Sequence, residues 1–80
     1  MHVAIAGYAF HPGTVTVTRG AKVIFSNRDK TNHTATANAG AFDTGTLAPG
    51  ATRTVTLSHT GTYTYFCQFH AFMKATLVVR

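Results

Sequence analysis

From Thr14 to Thr18 the chain alternates Thr-Val-Thr-Val-Thr, and the same period of two returns over Thr52–Ser58 and Gly61–Phe66. Residues two apart share a face of an extended strand, whereas a helix brings together residues three or four apart, so this alternation predicts half-buried strands. Fifteen threonines, many of them beside Val, Ile, Leu or Tyr, strengthen the reading, because β-branched side chains suit a pleated surface covered on one side. No segment carries a convincing helical period.

Strands are predicted at His2–Ala6, Thr14–Thr18, Lys22–Ser26, His33–Ala37, Thr52–Ser58, Gly61–Phe66 and Ala75–Val79. Val15 and Val17 should face the core with their threonine neighbours in water, and Val55 and Leu57 should also point inward. Val23, Ile24 and Phe25 follow one another without a polar break, which predicts cover on both faces for part of that strand. Asn27–Asn32 is a polar, turn-rich connection. Asn38-Ala39-Gly40 and Ala48-Pro49-Gly50 bracket a less regular stretch that contains Phe42 and Leu47. About seven short strands, with turn signals roughly every eight to twelve residues, predict an all-β antiparallel sandwich. Eighty residues make one small domain, 1–80, since a chain this short buries only about 60–65% of its unfolded surface and has none to spare for a second core.

The formal charge of +5 comes from seven Lys and Arg against two acidic residues, both Asp. Such a surface favours acidic partners. The cations are scattered at Arg19, Lys22, Arg28, Lys30, Arg53, Lys74 and Arg80, with no block and no base-stacking motif, so nucleic-acid binding is not expected. No apolar run approaches the roughly 18 residues that span a membrane, and no basic segment followed by an apolar one opens the chain. A soluble monomer is expected.

Cys67 is the only cysteine, so no internal disulfide can form, and an unoccupied thiol is a liability in an oxidising compartment. Its neighbours suggest an occupant. In Cys67-Gln68-Phe69-His70-Ala71-Phe72-Met73 a thiol, an imidazole and a thioether stand three residues apart, and His33 lies upstream at the start of a predicted strand after a polar turn. Two His and one Cys with a weak, distant Met form the ligand set of a blue-copper centre. Strand parity supports the geometry, because Tyr63, Tyr65 and Cys67 share one face, and if that face is inward the thiol arrives anchored by two rings. Tyr63, just after Gly61, fits the corner tyrosine of Greek-key sandwiches, with an ordinary core tyrosine as the other reading.

Other chemistries are weakened by what is missing. Zinc usually draws more Cys or His and no thioether. A centre bridged by two thiolates needs a second Cys. A multicopper cluster needs His on both sides of the cysteine, where Phe66 and Gln68 stand. A Cys–His nucleophile would need an orienting third group and an oxyanion hole, and the sequence offers no candidate. Four ligands leave no open position for substrate, so a carrier is expected rather than an enzyme. His2, His11 and His59 lie at a terminus or beside turns and are read as surface residues.

Taken together, Phe10-His11-Pro12, Val17 with Gly20, Val23-Ile24-Phe25-Ser26-Asn27, His33, Gly61-Thr62-Tyr63, Cys67, His70 and Met73 resemble the cupredoxin family over nearly the whole chain. The resemblance implies a Greek-key β-sandwich and one mononuclear type 1 copper ion held by His33, Cys67, His70 and Met73. It also implies one-electron transport and an exported location, periplasmic, extracellular or membrane-associated. The equal two-residue gaps around His70 resemble the short ligand loop of amicyanin more than those of plastocyanin or pseudoazurin, which place the methionine farther on. By the same resemblance, transient redox partners would dock at the edge of His70, ringed by Phe69, Ala71 and Phe72. Copper storage or delivery, or one domain of a larger copper enzyme, are alternatives. The departures fall at Thr34, where the family commonly has an Asn that tethers the cysteine loop, at Gln68, and at Ala71, where amicyanin has proline. They put that tether, and the stiffness of the loop, in question.

Overall fold

The alternating segments become eight strands in the computed structural model of the protein, which describes residues 1–80. They are β1 (His2–Ala6), β2 (Ala9–His11), β3 (Thr14–Val17), β4 (Lys22–Asn27), β5 (Thr36–Ala37), β6 (Thr52–Thr56), β7 (Gly61–Phe66) and β8 (Lys74–Val79). One sheet runs β2-β1-β4-β6 and the other β3-β8-β7-β5, and the two close on a common core. No helix is long and apolar enough to cross a membrane.

The sandwich is all-β as expected, but its sheets are mixed rather than purely antiparallel. β1 pairs parallel with β4, and β3 pairs parallel with β8. Alternation of apolar residues tells which face of a strand is buried and is silent about the direction of its neighbour, so the parallel pairs left no trace in the pattern. The strand missing from the expected set is β2, a three-residue return of β1 through the tight Gly7-Tyr8 turn.

His33–Ala37 shortens from a predicted strand to the two residues of β5, with isolated pairings of His33 to Leu47 and Thr36 to Asp43. Every side chain from His33 to Ala37 is buried, so this segment has no solvent face to produce alternation. Its backbone is satisfied partly by side chains: the Thr34 N–H points at Cys67 Sγ, 3.4 Å away, and the Ala35 N–H donates to Thr44 Oγ1 at 2.9 Å.

Inward residues of both sheets, among them Val3, Ile5, Phe10, Val23, Phe25, Tyr65, Leu77 and Val79, form the core. Val15 is buried between exposed threonines as expected, while Val17, Val55 and Leu57 are partly buried against the cluster. Ile24 is half-buried between the buried Val23 and Phe25, in keeping with partial cover on the second face. Tyr63 donates its hydroxyl to the His59 carbonyl at 2.7 Å, which makes it the corner tyrosine.

Tyr65 is the largest buried side chain, and its ring packs on Phe10, Phe25 and Phe42 with centroids 4.8, 5.5 and 5.7 Å away. Its hydroxyl has no hydrogen-bond partner in the protein. A buried, unpaired hydroxyl costs free energy that a phenylalanine avoids. Burial also pushes the phenol well above its usual value of 10.0, so above about pH 10 only the unfolded chain would ionise at this residue and stability falls as pH rises. Tyr65→Phe is expected to keep the fold, to gain about 1 kcal/mol in denaturant unfolding, and to lose less stability above about pH 10 than the wild type. Equal stability and an unchanged alkaline profile would contradict this account.

Candidate metal centre

Cys67 and Met73 stand on either side of the connection between β7 and β8, where the Phe66–Lys74 pairing ends and the Cys67 N–H still reaches the Met73 carbonyl at 3.1 Å. Between them the backbone makes two successive tight turns, with the His70 N–H to the Cys67 carbonyl at 3.3 Å and the Met73 N–H to the His70 carbonyl at 2.9 Å. A turn closed by an i to i+3 bond brings residues three apart together. The spacing Cys-x-x-His-x-x-Met is therefore the spacing of the turns.

His33 comes from the other side of the site, on the segment that leads into β5. Its Nδ1 lies 3.6 Å from Cys67 Sγ, and His70 Nδ1 lies 3.8 Å from the same sulfur. One ligand atom each from His33, Cys67 and His70 falls within 4.8 Å of the others. His33 and Cys67 are fully buried, whereas His70 is partly exposed. Met73 is buried at the base of the same loop and is one of the hydrophobic core residues. His2, His11 and His59 are exposed and lie outside the group.

Asp29 fixes the ring of His33. Its Oδ2 is 2.9 Å from His33 Nε2, and an ionised carboxylate can only accept. In the neutral ring the proton therefore sits on Nε2, and Nδ1 turns a lone pair toward the sulfur, the usual role of an outer partner to a ligating histidine. Partial burial works to raise the Asp29 pKa, but the N–H groups of Tyr8 and Gly7 and the imidazole of His33 together outweigh it and hold the carboxyl below its ordinary value. The Asp29 N–H in turn donates to Asn27 Oδ1, while Asn27 Nδ2 donates to the carbonyls of Thr31 and Leu47. The loop before His33 is thus wired from within.

Thr34 answers the question raised by its place in the sequence. Its backbone N–H faces Cys67 Sγ, and its hydroxyl accepts the Gln68 N–H at 2.9 Å. The Thr36 hydroxyl donates to Asp43 at 3.1 Å, so in the 3.0 Å contact between the two threonines Thr34 must be the donor. A one-way chain runs from the Gln68 N–H through two hydroxyls to a carboxylate, each bond polarising the next. The cysteine loop is tethered by threonine where an asparagine was expected to be needed.

Asp29, Tyr8 and the Thr36–Asp43 pair were not singled out by sequence reasoning. A signal existed: the chain has only two acidic residues, and both lie within ten positions of His33. A concavity of about 340 Å³ lies elsewhere, with Asn38, Thr64, Lys74 and Thr76 among its lining, and contains no His, Cys or carboxylate. A thiol and two imidazole nitrogens, arranged around one point with a free lone pair on His33, suit a borderline-soft ion such as copper.

Comparison with known proteins leads to the same metal. A family model described as a cupredoxin-like domain matches residues 1–79. Plastocyanin B'/B'' of Nicotiana tabacum is 34% identical over 77 residues, covering 80% of this chain and 78% of that protein. Among solved structures, a methionine-to-alanine variant of amicyanin in its Cu(I) form superposes with a TM-score of 0.93 at 25% identity, over 100% of this chain and 81% of that one. A purple cupredoxin from Nitrosopumilus maritimus, 18% identical, shares the fold with a TM-score of 0.88 over 99% of this chain and 98% of that one. A copper-containing nitrite reductase from Thermus scotoductus SA-01 matches with a TM-score of 0.93 at 26% identity, over all of this chain but only 22% of its own. The family match takes in every residue but the last, and the chain belongs to the cupredoxins, with one copper ion as its cofactor.

Proposed function

We propose that this protein is a one-electron carrier in which His33, Cys67, His70 and the thioether of Met73 would hold a mononuclear type 1 copper ion. The observation that carries the reading is the convergence of one sulfur and two imidazole nitrogens within 4.8 Å at the end of the sandwich. When bound, copper supplies a one-electron Cu(I)/Cu(II) couple, and a ligand set mixing soft sulfur with nitrogen suits both states.

The side chains divide the remaining work. Asp29 holds His33 by its outer nitrogen, and Thr34 holds the Cys67 loop through the Gln68 N–H, so the ligands need not rearrange when an electron arrives. Burial of Cys67 keeps water from the sulfur. His70 is the partly exposed ligand, and Phe69 and Phe72, 53% and 69% exposed, flank it in the loop. A small apolar face of this kind suits a brief redox encounter, since weak electron-transfer complexes bury little area. The +5 charge favours acidic redox proteins as partners. Function as a monomer in an exported compartment, as a carrier rather than an enzyme, completes the proposal.

Addition of Cu(II) to the metal-free protein should produce an intense thiolate-to-copper absorption band and a type 1 EPR signal. Cys67→Ser should abolish both, and Met73→Leu should keep copper bound while changing the potential, because a thioether would be the weakest of the four ligands. Absence of the band, or its survival without the thiol, would sink the reading; loss of all copper from Met73→Leu would refute the weak role given to Met73.

Thr34→Val keeps the side-chain volume and the backbone N–H but removes the hydroxyl that accepts from Gln68. It should lower the unfolding free energy of the metal-free protein by about 1–2 kcal/mol. Wild-type stability would show that the tether contributes nothing.

A further inference from the structure

Tyr8 is the one non-glycine residue whose backbone enters the left-handed region, at φ 59°, and it lies beside the metal centre. Outliers of this kind persist where the surroundings over-determine them, and they gather at functional sites. With Gly7 also at φ 59°, the pair makes a two-residue hairpin turn of the kind that needs both central residues left-handed. Glycine, asparagine and aspartate meet that need most readily, so turn chemistry alone gives no reason for a tyrosine.

The surroundings supply one. Asp29 accepts the Gly7 N–H at 2.7 Å and the Tyr8 N–H at 2.9 Å, and the same carboxylate accepts from His33 Nε2 at 2.9 Å. One side chain fastens the turn and a ligand imidazole together. The ring of Tyr8 then stands edge-on to His33, with centroids 5.4 Å apart at 88°, and to His70, 4.9 Å apart at 87°. These are favourable aromatic geometries. The ring is 42% exposed, while the His33 that it packs against is fully buried.

We propose that Asp29 and Tyr8 are positioning residues of the metal centre. The carboxylate sets the His33 tautomer and holds the turn, and the turn lays the Tyr8 ring against both imidazoles so that they keep their ligating orientation. The inference rests on the copper reading only for the identity of the metal, since the tautomer and the ring packing belong to the metal-free chain.

Proton–nitrogen NMR correlation of the histidine rings in the metal-free protein, at mildly alkaline pH where ordinary imidazole is neutral, reports tautomer and mobility without copper. Competition with a Cu(II) chelator reports affinity. Wild type and Tyr8→Phe should both show His33 protonated on Nε2 and sharp His70 signals. Tyr8→Asn, which suits the turn, should keep the His33 tautomer, broaden the His70 signals and weaken Cu(II) binding about 10-fold; Asp29→Asn should mix the His33 tautomers and weaken binding about 10- to 100-fold. Wild-type His70 signals and affinity in Tyr8→Asn would overturn the role of the ring, and a His33 protonated on Nδ1 in the wild type would overturn that of the carboxylate. If Asp29→Asn does not fold, the wild-type tautomer and the two Tyr8 variants still decide. The expected tautomers and His70 mobility in a wild type that binds no copper would count against the copper reading while supporting the positioning role.

Discussion

Two hydrogen bonds made by Thr34 join segments that are 34 residues apart in the chain: its N–H reaches Cys67 Sγ, and its hydroxyl takes the Gln68 N–H. Everything at the metal centre depends on that junction. His33 and Cys67 have no sequence proximity, and each belongs to a segment whose own turns could satisfy it elsewhere. Because the Thr34 hydroxyl donates to Thr36 and the Thr36 hydroxyl donates to Asp43, the lone pairs of Thr34 are oriented to receive Gln68. A buried hydroxyl chain of this kind is stable only when every member is satisfied, and here each one is.

Around the junction, rigidity and exposure are distributed unequally. His33 is enclosed, bonded on its outer nitrogen and walled by Tyr8, while His70 sits in the loop and is partly exposed. In the proposed electron carrier this asymmetry separates two requirements. Ligands that stay put keep reorganisation small, and one ligand near the surface shortens the path to a partner. The sandwich meets the first through buried polar contacts and the second by placing the ligand loop at the end of the β7–β8 hairpin.

Much of the centre was legible in the order of residues because the loop is local. Cys67, His70 and Met73 recur at the period of their turns, and Tyr65 and Cys67 follow strand parity to the core, where they are 1% and 0% exposed. Strand existence was legible for the same reason, as the threonine–valine alternation records one wet and one dry face. Strand direction was not, since β1 with β4 and β3 with β8 pair parallel without changing any side-chain pattern. Nor was the shortness of β5 within the expected His33–Ala37 strand, a segment that is buried throughout and bonded partly to side chains. Tyr8 was hidden because it reaches His33 from a hairpin turn more than 20 positions away, and Asp29, though only four positions from His33, bonds it from an irregular loop that periodicity does not describe.

The central claim is that the fold places the ligands before the metal arrives. Paired crystal structures of the metal-free and copper-loaded protein test it most directly. The account predicts that His33 Nδ1 and Cys67 Sγ keep their positions within about 0.5 Å, the tolerance of a preorganised site, with the Asp29 and Thr34 bonds intact in both. A metal-free form in which His33 has swung away from Asp29, or the Cys67 loop has left Thr34, would contradict it.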